Sequence, residues 1–258
     1  LTALAGTPAF QTGLLAAAQS NSAVSGGASQ GVLINSSDIL AGAGRQIGIS
    51  GKAGSSGFTV ALTPGVGTSV AFDGQPAAGV SVDARFGQGA IQAEGGRIAI
   101  QGREGSDVFL SYTDDSEGGP MTLLSTASGA GRGGSIEVGG GNVLVASNFQ
   151  GPTPDFITAS GATGGGSIAL RASGNIGVNE NAGMQADATG AAGNGGSIRV
   201  IAEGDLRSYN SYSARGGAQA GNGGFVETSG RNVDLTGVRV DAAAPPGTSK
   251  PDVAMPAA

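Results

Sequence analysis

Cysteine, histidine and tryptophan are all missing from this 258-residue chain. Without cysteine there is neither a disulfide framework nor a thiolate metal site. Without histidine the commonest general base and metal ligand is gone. Lysine is almost absent too, and the net charge is −6. Phosphate neutralisation needs a basic surface, so a nucleic-acid partner is not expected. No unbroken apolar run reaches the ~18 residues of a membrane span, so no transmembrane segment is expected. Leu1 to Ala18 lacks the positively charged start of a signal peptide. Beginning with Leu rather than Met, the sequence reads as an internal or processed piece. Aromatics make up 4%, which leaves a core to be filled by Val, Ile, Leu and Ala. Glycine is the abundant residue, at 51 positions against 10 prolines. No strict Gly-X-Y period accompanies it, which excludes collagen.

Much of that glycine falls in a recurring phrase. Gly133-Gly134-Ser135-Ile136, Gly165-Gly166-Ser167-Ile168, Gly195-Gly196-Ser197-Ile198 and Gly223-Gly224-Phe225-Val226 follow an earlier Gly95-Gly96-Arg97-Ile98. Successive starts lie 38, 32, 30 and 28 residues apart, as expected of one structural unit with variable loops. Each unit holds three short alternating runs. The first is Ile136/Val138, Ile168/Leu170, Ile198/Val200 and Val226. The second is Val143/Val145, Ile176/Val178, Leu206 and Val233/Leu235. The third is Ile157/Ala159, Met184/Ala186, Tyr212/Ala214 and Val238/Val240. Period-two alternation marks half-buried strands. Glycine every few residues costs a helix about 0.8–1 kcal/mol per interior site, so helical repeats are set aside. The expected fold is all-β: a parallel β-helix (β-solenoid) with about 28–39 residues and three short strands per coil. About eight coils would span near 40 Å.

The domain boundaries follow. Residues 1–30 are expected to form a lead-in or cap containing the Ala-rich segment Leu14 to Ala18, a short helix or a poorly packed coil. Residues 31–244 form the β-helix. Residues 245–258, with Pro245, Pro246, Gly247 and Pro251, form a tail or linker. Gly31 to Ser55 reads as one short unit. Ser56 to Glu94 reads as another, through Phe58 to Leu62, Val70 to Phe72 and Val80 to Ala84, the last resembling Val238 to Ala242.

Asn142, Asn175, Asp205 and Asn232 occupy the corner before the second run. Asn and Asp tolerate left-handed backbone and bond to nearby main chain, so turn chemistry explains this column, and stacking makes it a ladder. Arg215, after the third run, is flanked in neighbouring coils by Asp187 and Asp241. The expectation is an exposed cross-coil charge stack worth at most about 1 kcal/mol. Asp114, Asp115 and Glu117 form the most acidic patch. Such carboxylates solvate loops, bind calcium, or act as acid and base on a polysaccharide. Tyr209 and Tyr212, with Phe225, are weighed as a sugar-stacking surface against packing at a corner. Asn35-Ser36-Ser37 is a glycosylation sequon. Gly129-x-Gly131-x-x-Gly134 matches a dinucleotide fingerprint in letters only, because Ile136 begins a strand where a helix is needed. Gly51-Lys52 lacks the rest of a P-loop. No cofactor is expected.

Gly223-Gly224-Phe225-Val226-Glu227-Thr228-Ser229-Gly230, then Val233 to Asp241, and the preceding Ser213 to Gly217 resemble the filamentous haemagglutinin-like exoproteins, adhesins of the two-partner secretion family. The resemblance covers roughly Gly95 to Ala244. It implies that the β-helix is right-handed and that the protein is secreted or on the surface of a Gram-negative bacterium. It also implies export through an outer-membrane transporter, and a role in adhesion, biofilm or matrix assembly. Absence of cysteine suits passage across the periplasm unfolded. The amino-terminal secretion domain of that family is not recognisable, so a stalk segment is expected. The functional expectation is a non-catalytic structural or adhesive β-helix contacting a host or bacterial surface glycan or protein. The alternatives are a β-helical polysaccharide-active enzyme and a filament subunit that associates end to end. Arginines dispersed from Arg45 to Arg239 weigh against the enzyme, which needs them in one groove.

Overall fold

The computed structural model describes residues 23–26, 31–53, 58–63, 67–71, 78–85, 89–113, 122–147, 156–179 and 181–245. Three parallel sheets run side by side along a parallel β-helix, and the chain passes through each once per coil. The first sheet holds Gln46–Gly51, Arg97–Gly102, Ser135–Gly140, Ser167–Ala172, Ser197–Ala202 and Phe225–Ser229. The second holds Val32–Asn35, Ala78–Arg85, Asp107–Thr113, Val143–Ser147, Ile176–Val178, Leu206–Ser208 and Val233–Asp234. The third holds Ile39–Ala41, Ile91–Ala93, Leu124–Ser125, Ile157–Thr158, Met184–Gln185, Ser211–Ser213 and Arg239–Asp241.

Register explains the composition. Ile47, Ile98, Ile136, Ile168, Ile198 and Val226 stack in one inward column of the first sheet. Val80, Val108, Val143, Ile176 and Leu206 do so in the second, and Ile91, Leu124, Ile157, Met184 and Tyr212 in the third. All but Ile47 and Val226 are buried, and each fully buried side chain contributes about 1.5–3 kcal/mol. Every coil contacts only its neighbours, so the core is thin and long.

The Gly-Gly phrase is the corner between the third and first sheets. Its second glycine donates its N–H back to the end of the third run: Gly134 to Thr126 O, Gly166 to Ala159 O, Gly196 to Ala186 O and Gly224 to Ala214 O, at 2.7–2.9 Å. A Cβ on Gly166 would collide with the Gly134 carbonyl oxygen of the coil before it. One on Gly196 would collide with that of Gly166, and one on Gly224 with that of Gly196. The corners stack backbone on backbone, and only glycine leaves the space.

Three expectations need correction. Phe58–Thr63 does not form a coil strand with Val80. It pairs antiparallel with Gly67–Ala71 and with Ala23–Gly26 in a separate three-stranded sheet, a hairpin inserted in the first coil. That insertion lengthens the step from Ile47 to Ile98 to 51 residues. Val80 to Ala84 lies in the second sheet, paired with Val108 to Tyr112, and so is not equivalent to Val238 to Ala242. In the last coil Val240, not Val238, pairs with Tyr212, a shift of two residues. Among the described residues the second and third sheets have seven strands and the first has six. Six steps span about 29 Å.

Within 1–30 the described Ala23–Gly26 is a strand, and Leu14 to Ala18 lies outside the described residues. So does the tail beyond Pro245. Both ends of the stack leave inward side chains partly uncovered. Ile47 and Ile49 are half-buried in the first coil, while Val233 and Val240 in the last are 45% and 53% exposed.

Candidate functional site

The corner before the second sheet carries a continuous side-chain ladder. Asn175 donates its backbone N–H to Asn142 Oδ1 at 2.8 Å, and Asp205 donates its own to Asn175 Oδ1 at 2.8 Å. Asn232 Nδ2 closes on Asp205 Oδ1 at 2.8 Å. Asn142 in turn donates from both N and Nδ2 to Asp107 Oδ1, at 2.7 and 3.0 Å. Asp107 is a fifth rung that sequence reasoning missed. It follows Ser106 rather than Gly, and its one signal was its place just before Val108. None of the five has a positive φ, so no left-handed turn is involved: Asp107, Asn142, Asn175 and Asp205 each supply an acceptor to the next coil, and Asn232 donates. The preceding glycines make room for them, since a Cβ on Gly174 or Gly204 would meet Asn142 Oδ1 or Asn175 Oδ1. The Asn232 hydrogen bond, and after it Arg231 at 3.3 Å, hold the Asp205 carboxyl below its ordinary range.

Asp187 and Arg215 meet at the end of the third sheet. Arg215 donates its backbone N–H to Asp187 Oδ1 at 2.7 Å, and its guanidinium reaches Oδ2 at 3.0 and 3.1 Å. Ser213 Oγ and Gln185 Nε2 donate to the same carboxylate. Asp241 approaches Arg215 at 3.9 Å from the last coil. The exposed charge stack expected from sequence is thus only half right: the Arg215 side chain is 52% exposed, but that of Asp187 is 3% exposed. The serine, glutamine and arginine donors compensate that burial. Asp241 shares its column with Ser213, and the partner of Arg215 in the last coil is Ala243. Gln185, Asp187 and Arg215 border a cavity of about 500 Å³ with Thr189, Gly216 and Ala244.

The aromatic surface does not assemble. Tyr212 is 1% exposed and points into the core of the third sheet. Its OH lies 2.7 Å from Ser208 Oγ, which donates to Asn210 Oδ1 at 2.6 Å. A serine hydroxyl has one proton, so the phenol is the donor to Ser208. Burial pushes the Tyr212 phenol up to about 12. Tyr209 is exposed and donates its OH to Asp234 Oδ2 at 2.8 Å, a bond that raises its pKa. Phe225 sits on the first sheet beneath the Arg199 guanidinium, 5.4 Å from the ring centre. Asp114, Asp115 and Glu117 lie outside the described residues. Among the described residues no three acidic, His or Cys side chains gather as a metal site. Asn35 accepts from Ser36 Oγ at 3.2 Å.

The outer face of the first sheet carries rows of polar side chains. Across the coils Ser135, Ser167 and Ser197 form one outward row, and Glu137, Ala169 and Arg199 the next. Gln101, Gly139 and Arg171 form the third. Arg97 pairs with Glu137 at 2.6 Å and Arg199 with Glu227 at 3.2 Å. The small residues between them leave a recess of about 380 Å³ lined by Gln101, Glu137, Ser167, Arg171, Ser197 and Arg199. Neither the family models searched nor the curated proteins contain a match to this chain.

Proposed function

We propose that this chain is a non-catalytic structural and adhesive β-helix, a rigid segment of a secreted or cell-surface exoprotein. The observation that carries this proposal is where the charges go. Lys52 to Glu104, Arg97 to Glu137, Arg199 to Glu227, Arg215 to Asp187 and Arg231 to Asp205 each tie one coil to its neighbour. Ionisable side chains dispersed in this way brace a stack along its length instead of converging on one scissile bond. The run Gly223 to Gly230 and its likeness to two-partner secretion adhesins supports a Gram-negative surface setting, export through an outer-membrane transporter, and a glycan or protein on the facing surface. The test is to present the purified chain to bacterial and host cell surfaces and, in parallel, to a polysaccharide library. Retention on a surface without cleavage is expected. Reproducible cleavage would overturn the proposal in favour of a polysaccharide-active enzyme.

The uncovered ends favour a second proposal, association end to end. Ile47 and Val226 end the inward column of the first sheet, Val32 and Val233 that of the second, and Ile39 and Val240 that of the third, so a second copy stacked head to tail would continue each column. Open strand edges pair readily unless capped. Sedimentation velocity over a hundredfold concentration range checks it: a rising sedimentation coefficient supports stacking, and a constant one rules it out.

A further inference from the structure

We propose that the recess on the outer face of the first sheet binds a carboxylated pyranose unit, as found in a uronic-acid polysaccharide. The inference rests on the adhesive proposal and names the ligand class for one face. The recess is centred on Ala169, whose neighbours in register are Glu137 in the coil before and Arg199 in the coil after. Ser167 and Arg171 flank it along its own strand. Strand spacing and residue rise place these four walls about 10 Å apart across the coils and about 13 Å apart along the strand. That is the footprint of one sugar ring, with the Ala169 methyl as an apolar floor.

The walls differ in chemistry. Arg199 is held in place by Glu227 at 3.2 Å and by the Phe225 ring beneath it. Arg171 is exposed, and its guanidinium has no hydrogen-bond or ion-pair partner among the described residues. A planar guanidinium matches a carboxylate bidentately, so Arg171 takes the acid group of the sugar and Arg199 supports it from the next coil. On the opposite side, Glu137, held by Arg97 at 2.6 Å through one carboxylate oxygen, and Ser167 and Ser197 line the recess as partners for ring hydroxyls. Glu137 also sets selectivity. A densely sulfated chain would place negative charge against its carboxylate, whereas a uronate unit carries one charge at one end and hydroxyls at the other.

The experiment is a calorimetric titration of the whole chain with a galacturonate tetramer, a neutral galactose tetramer and a persulfated tetramer. The uronate is expected to bind at least about tenfold more tightly than either control. Arg171→Ala and Ala169→Leu should each weaken it about tenfold, with Arg171→Lys in between because the charge stays and the fork is lost. Arg207→Ala, on the second sheet, should leave it unchanged. Ala169 points outward, so filling its place does not disturb the core, and Arg171→Ala decides the matter if Ala169→Leu fails to fold. No binding at millimolar uronate, equal binding of the neutral tetramer, tighter binding of the persulfated one, or unchanged binding by both recess variants overturns the inference. Surface retention without uronate binding sinks this inference alone. Cleavage of the uronate sinks the non-catalytic proposal instead.

Discussion

At Thr126 a hydroxyl sits where every comparable coil has a methyl. Register places it in a column with Ala93, Ala159, Ala186 and Ala214. It is fully buried, and its Oγ1 has no hydrogen-bond partner. A buried hydroxyl without a partner costs about 1–3 kcal/mol. Thr126→Val keeps the shape and removes the hydroxyl, so it should stabilise the chain by about 1 kcal/mol in urea unfolding. Tyr212 gives a pH-dependent counterpart. In the unfolded chain its phenol ionises near 10, while in the folded chain burial holds the proton until about 12. The unfolded state therefore binds fewer protons between these values, and stability falls as pH rises through them. This is a loss of about 3 kcal/mol that is absent below pH 10. Tyr212→Phe should lack that loss, which unfolding of both proteins at pH 9 and pH 12 will measure. The inward position of Tyr212 could be read from its alternation with Ser211 and Ser213. The burial of Asp187 could not, because it depends on Gln185, Ser213 and Arg215 closing over it from two coils.

At the level of strands and corners, the sequence signals are strong where they concern backbone space. The Gly-Gly phrase was legible because each copy answers the same steric demand, and so was the glycine before Asn175 and Asp205. Gly166→Ala tests this demand. Its Cβ would strike the Gly134 carbonyl, and overpacking of that kind costs about 1–3 kcal/mol. Gly48→Ala, also on the first sheet, meets nothing within 4 Å and should be neutral in the same thermal unfolding measurement. Strand partners were less legible than strands. Phe58–Thr63 and Gly67–Ala71 alternate as coil strands do, and alternation alone does not tell a parallel neighbour from an antiparallel one. The last coil shows the related ambiguity: Val238 and Val240 are two apart, so either fits the inward period, and pairing with Tyr212 selects Val240. The recess around Ala169 left no motif at all. It is a gap between rows that exists only once three coils are in register.

Over the whole molecule, equal units make a stack whose length is set by coil number, and local substitutions should change its stability without changing its pitch. The charges braced between coils, the corner ladder and the two uncovered ends all follow from this one arrangement. The absence of cysteine makes it directly measurable, because two introduced cysteines become the only labelling sites. Gln46 and Phe225 occupy the same outward column of the first sheet, in its first and last strands. With spin labels at Gln46→Cys and Phe225→Cys, pulsed electron spin resonance should give a single narrow distance near 24 Å, five strand spacings of about 4.8 Å. A broad distribution, or a distance far from that value, would contradict stacking in register.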